Sequence, residues 1–145
     1  MANAKSPLIV FGSEVSRTKS EKAMVDLAEK LSVPVCQGEN LFSAFPTYHP
    51  LFLGKYQRRM RFPKSVDLVI NIGSKDGHGA PDGGHLIHVS SDADIIGKRN
   101  FTDLPILAHA DSFISDLSDA LDGVLTKDRM KRIREERLEV SSSYK

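Results

Sequence analysis

Apolar positions in this chain fall into short continuous runs, with stretches of helical spacing between some of them. Leu8-Ile9-Val10-Phe11, stopped by Gly12, has the form of a strand buried on both faces, as in a parallel sheet. Thr18-Lys19-Ser20-Glu21 then has the spacing of a capping box, in which the threonine oxygen and the glutamate satisfy opposite orphan N–H groups. Ala23, Met24, Leu27, Ala28 and Leu31 follow on one helical face. Val33-Pro34-Val35-Cys36 reads as a second strand, whose proline suits a strand start or an edge. Residues 40–45 predict a short helix ending before Pro46, because the residue preceding a proline avoids helical geometry.

Residues 48–54 read as a loop with an apolar centre, and residues 55–64 are polar and basic. They lead into the strongest strand pattern of the chain, Val66-Asp67-Leu68-Val69-Ile70-Asn71-Ile72, stopped by Gly73. The glycine-rich stretch 74–84, which contains Pro81, predicts a loop. Leu86-Ile87-His88-Val89 is a further strand, 92–98 a single helical turn, and Leu104-Pro105-Ile106-Leu107-Ala108 a last strand. From Asp111 a helix presents Phe113, Ile114, Leu117, Ala120 and Leu121, with Gly123 as its C-terminal stop. Residues 126–139 mix both charge signs and read as an exposed helix or linker before a flexible tail, 141–145. Strands alternating with helices at short connections predict an α/β fold. The expected form is a three-layer α/β/α sandwich around a mostly parallel, about six-stranded sheet. The domain is expected to span 1–123, with 124–145 as a charged extension.

Composition narrows the function classes. A chain of 145 residues has enough material for one domain with a real core. It contains no apolar run near the roughly 20 residues needed to cross a bilayer, and residues 1–7 lack the apolar stretch of a signal peptide. The single cysteine, Cys36, excludes an internal disulfide and a cysteine zinc cage, and fits a reducing cytoplasm, the expected compartment. A formal net charge of +1 argues against a general nucleic-acid binder.

The order of these signals resembles the central domain of thiamine-diphosphate-dependent enzymes, in the group of acetolactate synthase and benzoylformate decarboxylase. The resemblance rests first on Ser6-Pro7-Leu8-Ile9-Val10-Phe11-Gly12 and the helix running into Leu31-Ser32-Val33-Pro34-Val35. Ala44-Phe45-Pro46 with His49-Pro50-Leu51-Phe52-Leu53-Gly54 is its most specific piece. Asp67 to Ser74, then Ile87-His88-Val89 with Asp92 and Ile96-Gly97-Lys98, complete it. It implies a scaffold domain set between two thiamine-diphosphate-binding domains that carry the chemistry, within a larger and homo-oligomeric enzyme. That enzyme would be a decarboxylase, carboligase or lyase acting on 2-oxo acids or related carbonyl compounds, with thiamine diphosphate and magnesium held by the outer domains. The family's Gly-Asp-Gly magnesium segment is not in this chain: Asp76-Gly77, Asp82-Gly83 and Asp122-Gly123 each lack the preceding glycine. The chain alone is therefore not expected to be catalytic, and no catalytic residue is assigned.

Some relatives hold FAD or ADP in this domain, beyond the carboxyl ends of the strands, where open parallel sheets bind ligands. The corresponding positions here are Gly12 and Ser13, then Gly73, Ser74 and Lys75, then Ser90 and Asp92. Several depart from the nucleotide-binding pattern. Glu14 adds a charge that repels phosphate, Ser90 stands where an acidic residue is usual, and Ala108-His109 replaces a Gly-Asp pair. An empty, vestigial pocket is the expectation. An FAD- or ADP-binding module is the alternative, and a stand-alone protein-interaction domain is an alternative of another class.

Three further patterns carry less. Residues 77–83 look like a dinucleotide fingerprint, but the spacing is off by one, Pro81 interrupts it and a strand follows where a helix is required. Lys55, Arg58, Arg59, Arg61 and Lys64, interleaved with Tyr56 and Phe62, form a local excess of positive charge, which the resemblance implies is a loop facing the neighbouring domains. The five histidines, His49, His78, His85, His88 and His109, include no i, i+4 pair on a helix, so no metal site is expected.

Overall fold

The apolar runs become the inner strands of one sheet. The computed structural model describes residues 3–39, 44–57, 66–76, 78–79 and 83–142. Along the chain these form β1 (Pro7–Phe11), α1 (Ser13–Arg17), α2 (Glu21–Leu31), β2 (Val35–Gln37) and β3 (Phe52–Lys55). There follow β4 (Leu68–Ile72), β5 (His85–Ser90), β6 (Leu104–Leu107), α3 (Ala110–Val124) and α4 (Lys127–Ser142). All six strands are parallel, in the order β3-β2-β1-β4-β5-β6. This is the α/β architecture expected from the sequence. The chain winds outward from β1 to β3, then returns to lay β4 on the other side of β1, so the direction of winding reverses between β1 and β4.

Strand periodicity sorts the side chains onto two faces. Ile9 and Phe11 of β1 pair in register with Ile70 and Ile72 of β4. They join the larger apolar cluster with Met24, Leu27 and Leu31 of α2 and Ile114 and Leu121 of α3. Leu8, Val10, Val69 and Leu86 point to the opposite face and pack with Cys36, Tyr56 and Val66. β1 and β4 are buried at every position, which explains why they read as near-continuous apolar runs, broken in β4 only by the buried Asn71. Each fully buried Leu or Ile contributes about 1.5–3 kcal/mol relative to exposure, so the sheet centre is the stable part of the molecule. β6 at the edge is different: Leu104 and Leu107 are largely exposed. No helix among the described residues is long and apolar enough to cross a membrane.

Several local expectations are corrected. The short helix α1 was not expected, and it displaces the predicted capping box. Thr18 is the C-cap of α1, Ser20 is the N-cap of α2, and neither side chain caps α2. Their hydroxyls lie 2.6 Å apart, one donating to the other, and the pair faces back onto the α1 carbonyls of Glu14 and Val15. β3 forms within the stretch read as a loop. It was hidden because Gly54, at φ +91°, breaks the alternation and the β2–β3 register shifts at this edge. Gly123 does not stop α3, which runs on to Val124 and ends where Leu125 turns into the core. Residues 92–98 are successive turns: Asp92 Oδ1 accepts the Asp94 N–H at 3.0 Å, a local bond that competes with helix. Of the helix expected at 40–45, residues 40–43 lie outside the described residues, and Ala44 and Phe45 are buried but not helical.

α4 rests on the core through Met130 and Ile133. Arg134 Nε donates to the Lys30 carbonyl at the end of α2 (2.9 Å). Lys30 Nζ in turn reaches α3, bonding Ser118 Oγ (3.1 Å) and the Ser118 carbonyl (3.0 Å), and pairing with Asp122 (2.6 Å). One lysine therefore joins α2 to α3 and, through its carbonyl, to α4.

Candidate functional site at the carboxyl ends of the strands

The loops leaving β1, β2, β4 and β5 meet at one end of the sheet, around the point where winding reverses. Gly12 leaves β1 and donates to the Ile72 carbonyl (2.9 Å), while Gly38 leaves β2 and donates to the Phe11 carbonyl (2.8 Å). Gly12 packs so closely on the β4 loop that a Cβ there would strike the Gly73 carbonyl oxygen and the Ser74 backbone. Gly73 has φ +69° and backs onto the Glu14 side chain, so both glycines are demanded by geometry. The structure thus brings together Gly12, Ser13, Gly73, Ser74 and Ser90, five of the positions singled out in the sequence.

Between them lie two carboxylates. Glu14, in α1, reaches across to β5, accepting from Ser90 Oγ at 2.7 Å and from the Ser91 N–H at 3.0 Å. Glu39, after β2, reaches across to the β4 loop, accepting from Ser74 Oγ, the Lys75 N–H and, at 3.3 Å, the Asp76 N–H. Burial pushes the Glu39 pKa up. The His78 imidazole beside it, the Ser74 hydroxyl and the Lys75 N–H outweigh that and hold it at about 2. Glu39 is ionised across the neutral range, and its donors are charge-assisted. Lys75 contributes its backbone N–H to this contact. Asp92 is engaged in its own turn and donates its N–H to Ser90 Oγ (3.1 Å).

Ser74 is held from beneath. Asn71 Oδ1 accepts its N–H (3.2 Å) and His88 Nε2 lies 3.0 Å from its carbonyl. A carbonyl only accepts, so Nε2 carries the proton there. Asn71 and His88 are register partners on adjacent strands and are buried. Their remaining atoms, Asn71 Nδ2 and His88 Nδ1, have no hydrogen-bond partner.

Glu39 and His78 were not singled out as site residues by sequence reasoning. Glu39 follows a short strand at a glycine and has no motif around it. Its contacts lie 35 to 37 residues away. His78 sits in the glycine-rich stretch read as an ordinary loop, yet its ring is 4.8 Å from the Tyr56 ring, and Tyr56 OH donates to the Gly79 carbonyl (2.5 Å). Nε2 of His78 lies 3.6 Å from Glu39 Oε2. A Cβ on Gly38 would come within 2.8 Å of Ser74 Oγ and 3.2 Å of the His78 ring. Of the basic stretch, Arg58, Arg59, Arg61 and Lys64 lie outside the described residues.

Comparison with known proteins agrees with this architecture. The family model described as "Thiamine pyrophosphate enzyme, central domain" matches residues 1–117. The chain is 27% identical over 140 residues to a probable acetolactate synthase large subunit of Methanococcus aeolicus, covering 88% of this chain and 23% of that protein. It is 30% identical over 125 residues to a sulfoacetaldehyde acetyltransferase of Rhodobacter capsulatus, covering 76% and 21%. Among solved structures, the thiamine diphosphate-dependent 4-hydroxybenzoylformate decarboxylase of Rhodococcus jostii superposes with a TM-score of 0.70. It is 27% identical, over 81% of this chain and 25% of that one. The chain spans about a quarter of the length of these relatives. On its sheet and on this match, the chain belongs to the family of thiamine pyrophosphate enzyme central domains.

Proposed function

We infer that the chain serves as a non-catalytic scaffold, the central domain of a larger cytoplasmic and homo-oligomeric thiamine-diphosphate-dependent enzyme. That enzyme is a decarboxylase, carboligase or lyase acting on 2-oxo acids or related carbonyl compounds. Its two outer domains hold thiamine diphosphate and magnesium, and this domain fixes their spacing. In this reading residues 1–123 are the scaffold and 124–145 a charged extension of it.

The observation that carries this reading is the pair of glutamates at the strand ends. A nucleotide diphosphate at Gly12, Ser13, Gly73, Ser74, Lys75, Ser90 and Asp92 would need the N–H and hydroxyl donors gathered there, since such groups receive phosphate. The Ser91 and Lys75 N–H groups and the Ser90 and Ser74 hydroxyls already face Glu14 and Glu39. Two resident carboxylates take the place of the anion and repel a second one, so FAD or ADP does not fit. The residues present also offer no Gly-Asp-Gly segment for magnesium diphosphate.

Two titrations test this. Calorimetry and thermal melting of the chain with FAD and with ADP are expected to show no micromolar binding and no rise in melting temperature, since a ligand selective for the folded state must raise it. Micromolar affinity for either would replace the empty scaffold with a nucleotide-binding module. Incubation with thiamine diphosphate, Mg²⁺ and pyruvate is expected to release no carbon dioxide. Turnover by the chain alone would overturn the scaffold reading.

A further inference from the structure

Among the described residues, Glu39, Asp76 and His78 form one group whose ligand atoms, a carboxylate oxygen from each acid and a ring nitrogen, all lie within 4.8 Å of one another. The three come from two loops, one after β2 and one after β4, at the reversal of winding where doubly wound sheets accept ligands. All three are half-buried, which leaves an opening to solvent.

We propose that Glu39, Asp76 and His78 bind a divalent transition-metal ion of the zinc class, clipping the loop after β4 to the end of β2. The first argument is the state of His78. Its Nε2 is buried and makes no hydrogen bond. At 3.6 Å from Glu39 Oε2 it is too far to bond, but near the ~3–3.5 Å that separates neighbouring ligands when each lies about 2.0–2.2 Å from one zinc ion. An ion between them would give this nitrogen a partner and draw the wider contacts inward.

The second argument is the support behind each ligand. Donors from Ser74, Lys75 and Asp76 orient the Glu39 carboxylate. Arg99 Nη1 pairs with Asp76 Oδ1 at 2.7 Å and fixes that carboxylate. Tyr56 packs on the His78 ring and bonds the Gly79 carbonyl. Outer contacts of this kind fix metal ligands in place.

Donor type selects the ion. One imidazole with two carboxylates suits zinc, cobalt or manganese. Mg²⁺ and Ca²⁺ prefer a fuller shell of oxygen atoms. Water completes the coordination on the open side. The ion plays no part in the scaffold reading above, so each idea stands or falls separately.

The test uses the 145-residue chain, stripped with a chelator and then titrated. With Zn²⁺ in equilibrium dialysis, one ion per chain and a raised melting temperature are expected. With Co²⁺, a visible absorption band diagnostic of nitrogen and oxygen ligation should appear at the same stoichiometry. His78→Ala and Asp76→Asn should each weaken binding more than about tenfold. His85→Ala, at the surface pair with Asp103 (3.1 Å), should leave it unchanged. Asp76→Asn keeps the side-chain shape and serves if His78→Ala fails to fold by circular dichroism. Failure to retain Zn²⁺ at micromolar concentration overturns the proposal, as does binding in both variants that is as tight as in the parent chain.

Discussion

Replacing Glu39 by Gln tests the seam between the two halves of the sheet. The substitution keeps the side-chain volume but removes the charge, and it sets an NH₂ group where one oxygen now faces donors from Ser74, Lys75 and Asp76. The carboxyl group is lowered from an ordinary 4.5 to about 2. At about 1.4 kcal/mol per pH unit, that displacement corresponds in full to about 3 kcal/mol. The Glu39 side chain is still 30% exposed, and solvent screening reduces the expected loss to about 1–2 kcal/mol. The sign follows from linkage. The folded pKa lies below the unfolded one, so the stabilisation is complete above about pH 5 and drains away as pH falls towards 2. Urea denaturation with a chelator present, at pH 7, 5, 4 and 3, measures it. The variant should be less stable at pH 7, and the two curves should converge in acid. Equal stability at pH 7, or a gap that persists unchanged at pH 3, would refute the reasoning.

Two other substitutions or treatments follow from the packing. Gly12→Ala should cost about 1–3 kcal/mol or more, because its Cβ would meet the backbone of Gly73 and Ser74, which no side-chain rotation relieves; a urea midpoint unchanged from the parent would contradict this close approach. Burial pushes the Cys36 thiol up to about 12, so at pH 8 it should stay unmodified by a thiol-reactive chromophore until urea is added. Prompt reaction of the native chain would show that the smaller apolar cluster is open.

The parts legible in the sequence are those whose cause is local. β1 and β4 announce themselves because both their faces are buried, and α2 because Met24, Leu27, Ala28 and Leu31 share one face of it. β3 escaped because Gly54 and the register shift remove any period. α4 reads from sequence as an exposed helix or linker because Met130 and Ile133, three residues apart, are the partly buried contacts to the core among its described side chains. The glycines of the site could be read from their place at strand ends. Glu39 could not, since its importance depends on β4 returning beside β1, a fact of topology that no window of sequence contains. The same is true of His78, which becomes a ligand candidate only when the end of β2 meets its loop.

The two carboxylates at the strand ends also have a mechanical meaning. Each is supplied by the first half of the chain and received by the second: Glu14 by Ser90 and Ser91, Glu39 by Ser74, Lys75 and Asp76. In an open doubly wound sheet this crevice, outside the strand ends, is where ligands bind. Here it is laced by Glu39 reaching across β1 to the loop after β4 and by Glu14 reaching across β4 to β5, so that widening it means breaking several of these bonds together. The end of the sheet where a ligand would enter is thus closed by the chain's own charges, and opening it costs the bonds that tie its first half to its second.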